Sequence, residues 1–287
     1  MSKQVITLEM LNQLTSTRPE PVMPICNETD EEIIERLRYR FNVLNDMTRA
    51  VKKGDVRAMI VTGPPGVGKS FGVEQVLSRH DLFATIAQDD KLKKYEVVKG
   101  AMSALGLYKK LFEFSEKKCI VVFDDCDSVL LDDVSLNILK AALDSSKRRV
   151  ISWNTDSKSL KALNLPNSFE FMGGCIFITN INFEHVRSKK LKDHLEALES
   201  RCHYLDLTID TDREKMLRIQ QIVNDGMLDS YEFTEEEKLE VVSFVAKNKD
   251  KMRELSLRMV LKVADLRKSM PNSWEDVARI TCMRGIR

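Results

Sequence analysis

The sequence lacks an excess of charge of either sign: 45 lysines and arginines stand against 44 aspartates and glutamates over 287 residues. That balance excludes a global basic field of the kind that announces a nucleic-acid coat, although a local patch stays open. It also lacks paired cysteine motifs. The six cysteines, at 26, 119, 126, 175, 202 and 282, form no CxxC pair with a second such pair or with spaced histidines, which argues against a zinc site and for reduced thiols. The opening MSKQVITLEMLNQLTSTRPEP has neither a basic start leading into an apolar run nor a cleavage site, and no apolar stretch approaches a membrane span. A soluble, intracellular protein is expected. No repeat, low-complexity tract, protease triad or nuclease cluster is visible, so a second activity would have to come from a partner.

What is present is a pattern of alternating elements in a chain long enough for one large unit and one smaller. Three prolines between 18 and 29, in RPEPVMPICNET, predict an extended connector, so residues 1–29 read as an N-terminal extension and linker. Thr29 with Glu32 makes a capping box, and Ile33, Leu37, Phe41, Leu44, Met47 and Val51 predict one apolar stripe on a helix that Gly54 ends. From residue 56 the runs AMIVTG, LFATIAQ, CIVVFDD, CIFITN and CHYLDL alternate with helix-length segments. Apolar on both faces, such runs predict an α/β fold with a mostly parallel sheet covered on two sides, over 30–207. Helix starts at Thr211 with Glu214, Thr234 with Glu237, Ser256, and Ser273 with Asp276 predict an all-helical unit over 208–287.

The first run ends in Gly63, Pro64, Pro65, Gly66, Val67, Gly68, Lys69 and Ser70, with Phe71 next, which fits GxxxxGK[ST] between a strand and a helix. Glycines 66 and 68 let backbone N–H groups fold closely around phosphate oxygens at a helix N-terminus. Lys69 is then expected to reach the β and γ phosphates, and the Ser70 hydroxyl to sit on magnesium. In CIVVFDDCDSVL, Asp124 is placed at a strand end to hold the same metal, and Asp125 to orient or activate an attacking water. An aspartate is one methylene shorter than a glutamate, roughly an ångström, so hydrolysis is either slowed or compensated by Asp127 or by the backbone. Asp127 has a second reading, as the cap of the following helix.

The glycine-rich loop, CIVVFDDCDSVL, IFITN, SRC and the helical tail together resemble the AAA+ ATPases over roughly residues 30–270. The resemblance implies ATP and Mg2+ as ligands, ATP hydrolysis, and self-association into a ring or spiral, expected as a hexamer. It places Asn180 as the polar residue that contacts the γ-phosphate and the water. Arg201 becomes the arginine finger acting in trans, with Arg187 and Lys189 as second candidates. Arg258 is a lid arginine reaching the γ-phosphate, or else a solvated flank of the helix whose stripe is Leu257, Val260, Leu261 and Ala264. Tyr95 with Lys93, Lys94 and Lys99 is similar to the pore-facing loop between the second strand and its helix, which would grip DNA, another nucleic acid or a peptide, or else is the solvated basic start of a helix. Lys147, Arg148, Arg149 and Trp153 would line the same channel or an intersubunit face. The compact organisation is similar to bacteriophage-encoded ATPases of DNA metabolism, which implies a cytoplasmic site of action, in the host if the chain is viral. Two readings stay open: a polymer-stimulated motor, and a slowly hydrolysing switch or loader that recruits a partner protein.

Overall fold

The computed structural model describes residues 28–78, 86, 93–154, 158–181, 183, 186 and 188–285. The proline-rich connector up to residue 27, all of the LFATIAQ run but Ile86, and Arg187 lie outside the described residues. Helix α1 (Asp30–Lys53) begins with the expected box, Thr29 N donating to Glu32 Oε2 at 2.8 Å, and ends at Gly54 with φ 85°. Its buried face is Ile33, Leu37, Phe41, Leu44, Thr48 and Val51. Met47 is half-buried against the same core, as expected, and Thr48 beside it is fully buried, its hydroxyl donating to the Leu44 carbonyl at 2.7 Å.

The strands are β1 (Ala58–Thr62), β2 (Tyr95–Lys99), β3 (Ile120–Asp124), β4 (Val150–Ser152), β5 (Ser168–Glu170), β6 (Gly174–Ile178) and β7 (His203–Asp206). Five of them form a sheet in the order β2-β3-β6-β1-β7, and every pairing in it is parallel. The fold is therefore α/β, as the double-sided apolar runs predict. All residues of β1, β3 and β6 are buried, and alternate side chains feed two cores. On one face Ile60, Val121, Phe123 and Phe177 pack with α3 (Ala104–Glu113), α4 (Ser128–Leu131), α5 (Asp133–Ala142) and α7 (Lys189–Glu199); α6 (Lys158–Ala162) adds Leu160. On the other, Met59, Val61, Val122 and Ile176 pack with α1 and with α2 (Lys69–Leu77).

After β7 come α8 (Asp212–Ile222), α9 (Glu235–Lys247), α10 (Leu257–Ser269) and α11 (Trp274–Cys282), which share a third core running from Ile219 to Met283. Capping boxes at Thr211–Glu214 and Thr234–Glu237 form as predicted, and Ser256 caps α10. Ser273 precedes α11 but makes no side-chain cap bond. Asp127 does not cap α4 either: its Oδ1 accepts from Thr179 Oγ1 at 2.7 Å, which ties β3 to β6 beyond their ends.

Two further expectations need correction. Tyr95 and Lys99 lie in edge strand β2, not in a loop, with Tyr95 packed on the α1-side core and Lys99 paired to Glu74 at 2.9 Å. Arg149 is buried and structural, and belongs to the β4–β5 hairpin, an antiparallel pair too short to show a period in sequence. Among the described residues no helix is long and apolar enough to cross a membrane.

Candidate active site

The loop after β1 lies where the parallel sheet changes direction, β1 sitting between β6 and β7, and this is where open α/β sheets bind ligands. Its turns hold Gly63, Gly66 and Gly68 at positive φ, and at the first two a side chain would also clash. Gly63 has φ 143° and a side chain there would begin 2.9 Å from the Leu207 backbone; Gly66 has φ 74° and a side chain would begin 2.7 Å from Ser256 Cβ. The second contact brings α10 onto the loop, and Leu257 N donates to Gly66 O at 3.0 Å.

Lys69, the first residue of α2, is 5% exposed and donates to Gly63 O at 2.6 Å, Pro64 O at 2.9 Å and Asn180 Oδ1 at 2.8 Å. Asn180, beyond β6, donates through Nδ2 to Asp125 Oδ1 at 2.8 Å. Ser70 Oγ donates to Asp124 Oδ1 at 2.8 Å, and Asp124 Oδ2 lies 3.4 Å from Lys99 Nζ. Burial pushes the Lys69 ammonium down to about 8, against the attraction of Asp125 and Asp124. Asp125 stands in the left-handed region at φ 52°, with its N–H bonded to Ile178 O at 3.0 Å.

These groups open into a cavity of about 750 Å³ whose lining includes Pro65, Gly66, Gly68, Lys69, Ser70, Phe71, Asp124, Asp125, Asn180 and Arg258. Of the other loop residues, Gly63 and Pro64 hold Lys69 through their carbonyls, and Val67 is buried in the core. Phe71 is 68% exposed, and Arg258 is exposed at the start of α10. Arg201 is not part of this lining; it is exposed after α7, its Nη1 donating to Ala197 O at 2.5 Å. Lys189 is likewise exposed, at the first turn of α7. Sequence reasoning missed Arg218 and Gln221, which line the cavity from α8, and Asn42 and Asn45, which line it from α1. No spacing motif marks any of the four.

The set fits a nucleoside phosphate with a hard divalent ion. Ser70 and Asp124 offer two oxygens, and among the described residues no cluster of three or more His, Cys, Asp or Glu forms a closed cage. Mg2+ suits such a site, because it takes one or two carboxylates and fills the rest with phosphate and water oxygens.

The model of the AAA family, ATPases associated with various cellular activities, matches residues 59–180, from β1 through the loop and β3 to Asn180. An uncharacterized 36.7 kDa protein from the nrdC–mobD intergenic region of Enterobacteria phage T4 is 34% identical over 254 residues, 88% of this chain and 76% of its own. The chain belongs to the AAA ATPase family. ATP binding, and ATPase activity in general, go with that membership. Solved structures similar to this AAA ATPase include S. cerevisiae Hsp104 in its casein complex, with TM-score 0.47 and 16% identity, over 87% of this chain and 44% of that one. The Aeropyrum pernix ORC2 protein in its ADP form matches with TM-score 0.41 and 15% identity, over 91% of this chain and 70% of that one. C. elegans PCH-2 matches with TM-score 0.37 and 14% identity, over 85% and 63%. The AAA ATPase thus spans less than half of the Hsp104 chain.

Proposed function

We propose that this AAA ATPase binds and hydrolyses ATP with Mg2+ in the cleft, and works as an oligomeric motor or remodeller on DNA or a DNA-bound complex. The observation that carries the reading is two hydrogen-bonded sets of side chains that meet at one cavity. Lys69 reaches Asn180, Asn180 reaches Asp125, and Ser70 reaches Asp124. In this reading Lys69 and the backbone N–H groups of residues 66–71, which follow the two prolines, hold the phosphates, and Ser70 and Asp124 would hold the Mg2+, which would supply positive charge against the phosphate oxygens. Asp125 accepts the proton of the attacking water while Asn180 orients it. Arg258 meets the γ-phosphate from the lid, and Arg201, exposed and away from its own cleft, serves the neighbouring subunit of a ring or spiral, taken as a hexamer. The sheet unit of 30–207 and the helical unit of 208–287 act as two domains that nucleotide state moves relative to one another. The phage relative supports a host-cytoplasmic setting.

A second reading, a slowly hydrolysing switch or loader for a partner protein, is favoured by Asp125 itself. Its short side chain is held by Asn180, and its backbone sits at φ 52°. Steady-state ATP turnover with and without single- and double-stranded DNA, beside Asp125→Asn, separates the two. Turnover that DNA raises and Asp125→Asn lowers by about a hundredfold or more supports the motor. Tight binding with turnover equal to that of Asp125→Asn under all conditions overturns it in favour of the switch.

A further inference from the structure

Arg218 is a buried cation that the phosphate machinery above does not use. It lies in α8, 6% exposed, with its guanidinium 3.5 Å from the centroid of the Phe41 ring of α1. Its Nη1 donates to Gln221 Oε1 at 2.7 Å, which turns the amide oxygen of Gln221 toward the arginine and leaves Nε2 as a donor only. Arg218 Nε and Gln221 Nε2 are both buried with no hydrogen-bond partner. Among the described residues no carboxylate pairs with the guanidinium, and Asp225 attracts it only through space. Burial pushes its pKa down to about 10. Leaving a buried charge without a counter-charge is destabilising, and an apolar residue of the same length would serve the packing better. Such a residue belongs to a site whose counter-charge arrives with the ligand. The place fits: Arg218 and Gln221 line the same cavity as the phosphate loop, and Arg218 Nη2 lies 3.9 Å from where a side chain on Gly68 would begin.

We propose that Arg218 is a phosphate-binding residue carried by the helix that joins the sheet to the C-terminal helices, and that the nucleotide supplies the negative charge it otherwise lacks. The inference rests on the nucleotide reading above and adds to it a residue that no phosphate-loop motif contains. Its consequence is that nucleotide fixes α8 against α1 by charge as well as by the Phe41 stack. Loss of nucleotide then releases the joint between the two units.

The test is calorimetric binding of ATP, ADP and adenosine to the full chain, with melting of the ligand-free protein, for wild type and Arg218→Met. Methionine fills much of the same volume without the charge. The expected result is a ligand-free Arg218→Met that melts above wild type, binds ATP and ADP about tenfold or more weakly, and binds adenosine as wild type does. Unchanged ATP affinity overturns the proposal, and so does an equal loss for adenosine and ATP, which would mean a base contact or a general distortion. If Arg218→Met does not fold, Arg218→Gln, which keeps hydrogen bonding without charge, has the same binding readout and the same two outcomes. A wild type that binds none of the three overturns the nucleotide reading as well, and a Lys69→Ala control shows what that failure looks like.

Discussion

Behind the sheet, between α5 and the β4–β5 hairpin, Arg149 donates to Ala142 O and to Gly173 O, each at 2.9 Å, and lies 5.1 Å from the Phe171 centroid. In front, between α1 and α8, Arg218 has an equally buried guanidinium with an aromatic face, one amide oxygen and an orphaned Nε. Two arginines of like burial thus differ in whether the chain itself satisfies them. Around Arg149 the protein supplies two backbone carbonyls and leaves no buried nitrogen of the guanidinium orphaned, and the cation ties three segments together. Around Arg218 it supplies too few, and the deficit lies on the wall of the nucleotide cleft. Burial alone says nothing about function; the unfilled hydrogen bonds do.

That contrast can be broken first at Arg149. Arg149→Ala leaves two buried carbonyls unpaired, and is expected to lower stability by about 3 kcal/mol, read as a shift of the denaturant midpoint, with ATP affinity of the folded protein unchanged. A loss of ATP affinity there would make the two arginines alike after all. Next in size is Gly66→Ala, on the cleft side. It demands a φ of 74° and a contact of 2.7 Å with Ser256 Cβ, so a cost of about 2 kcal/mol and weaker ATP binding are expected together. Calorimetry and chemical denaturation on the same sample check that coupling. A third test is a pH dependence at Lys69, whose pKa is depressed to about 8 from 10.5. Below 8 the ammonium is charged in both the folded and the unfolded chain. Between 8 and 10.5 the unfolded chain holds more protons, so ligand-free stability rises with pH across that window. ATP affinity runs the other way, falling by up to about tenfold per unit above 8, because binding must then take up a proton. Titration of both quantities from pH 7 to 10 tests the opposed signs.

Much of this was legible in the sequence where one rule acts alone. The glycine-rich loop, Asp124, Asp125 and Asn180 sit at strand ends that continuous apolar runs announce, and the capping boxes of α1, α8 and α9 are spelled out in four-residue patterns. The rest was hidden where tertiary packing overrides local pattern. Strand β2 reads YEVVK, half-exposed at the sheet edge with charges among its apolar residues, so it looks like a surface loop. In α8 the residues Leu217, Arg218, Ile219 and Gln221 are all buried because α1 covers one side and the third core the other. A helix covered on two sides loses its single-stripe signature, and an arginine within it reads as a surface cation.

The hydrogen bond from Leu257 N to Gly66 O has a consequence for inheritance. It is made by main-chain atoms alone, so no single amino-acid exchange short of proline at 257 deletes the donor. Substitution can therefore rewrite the side chains around both segments without deleting this strut between them. The side chains at the cleft decide what is bound; the tie from the loop to the helix behind it is spelled in no codon.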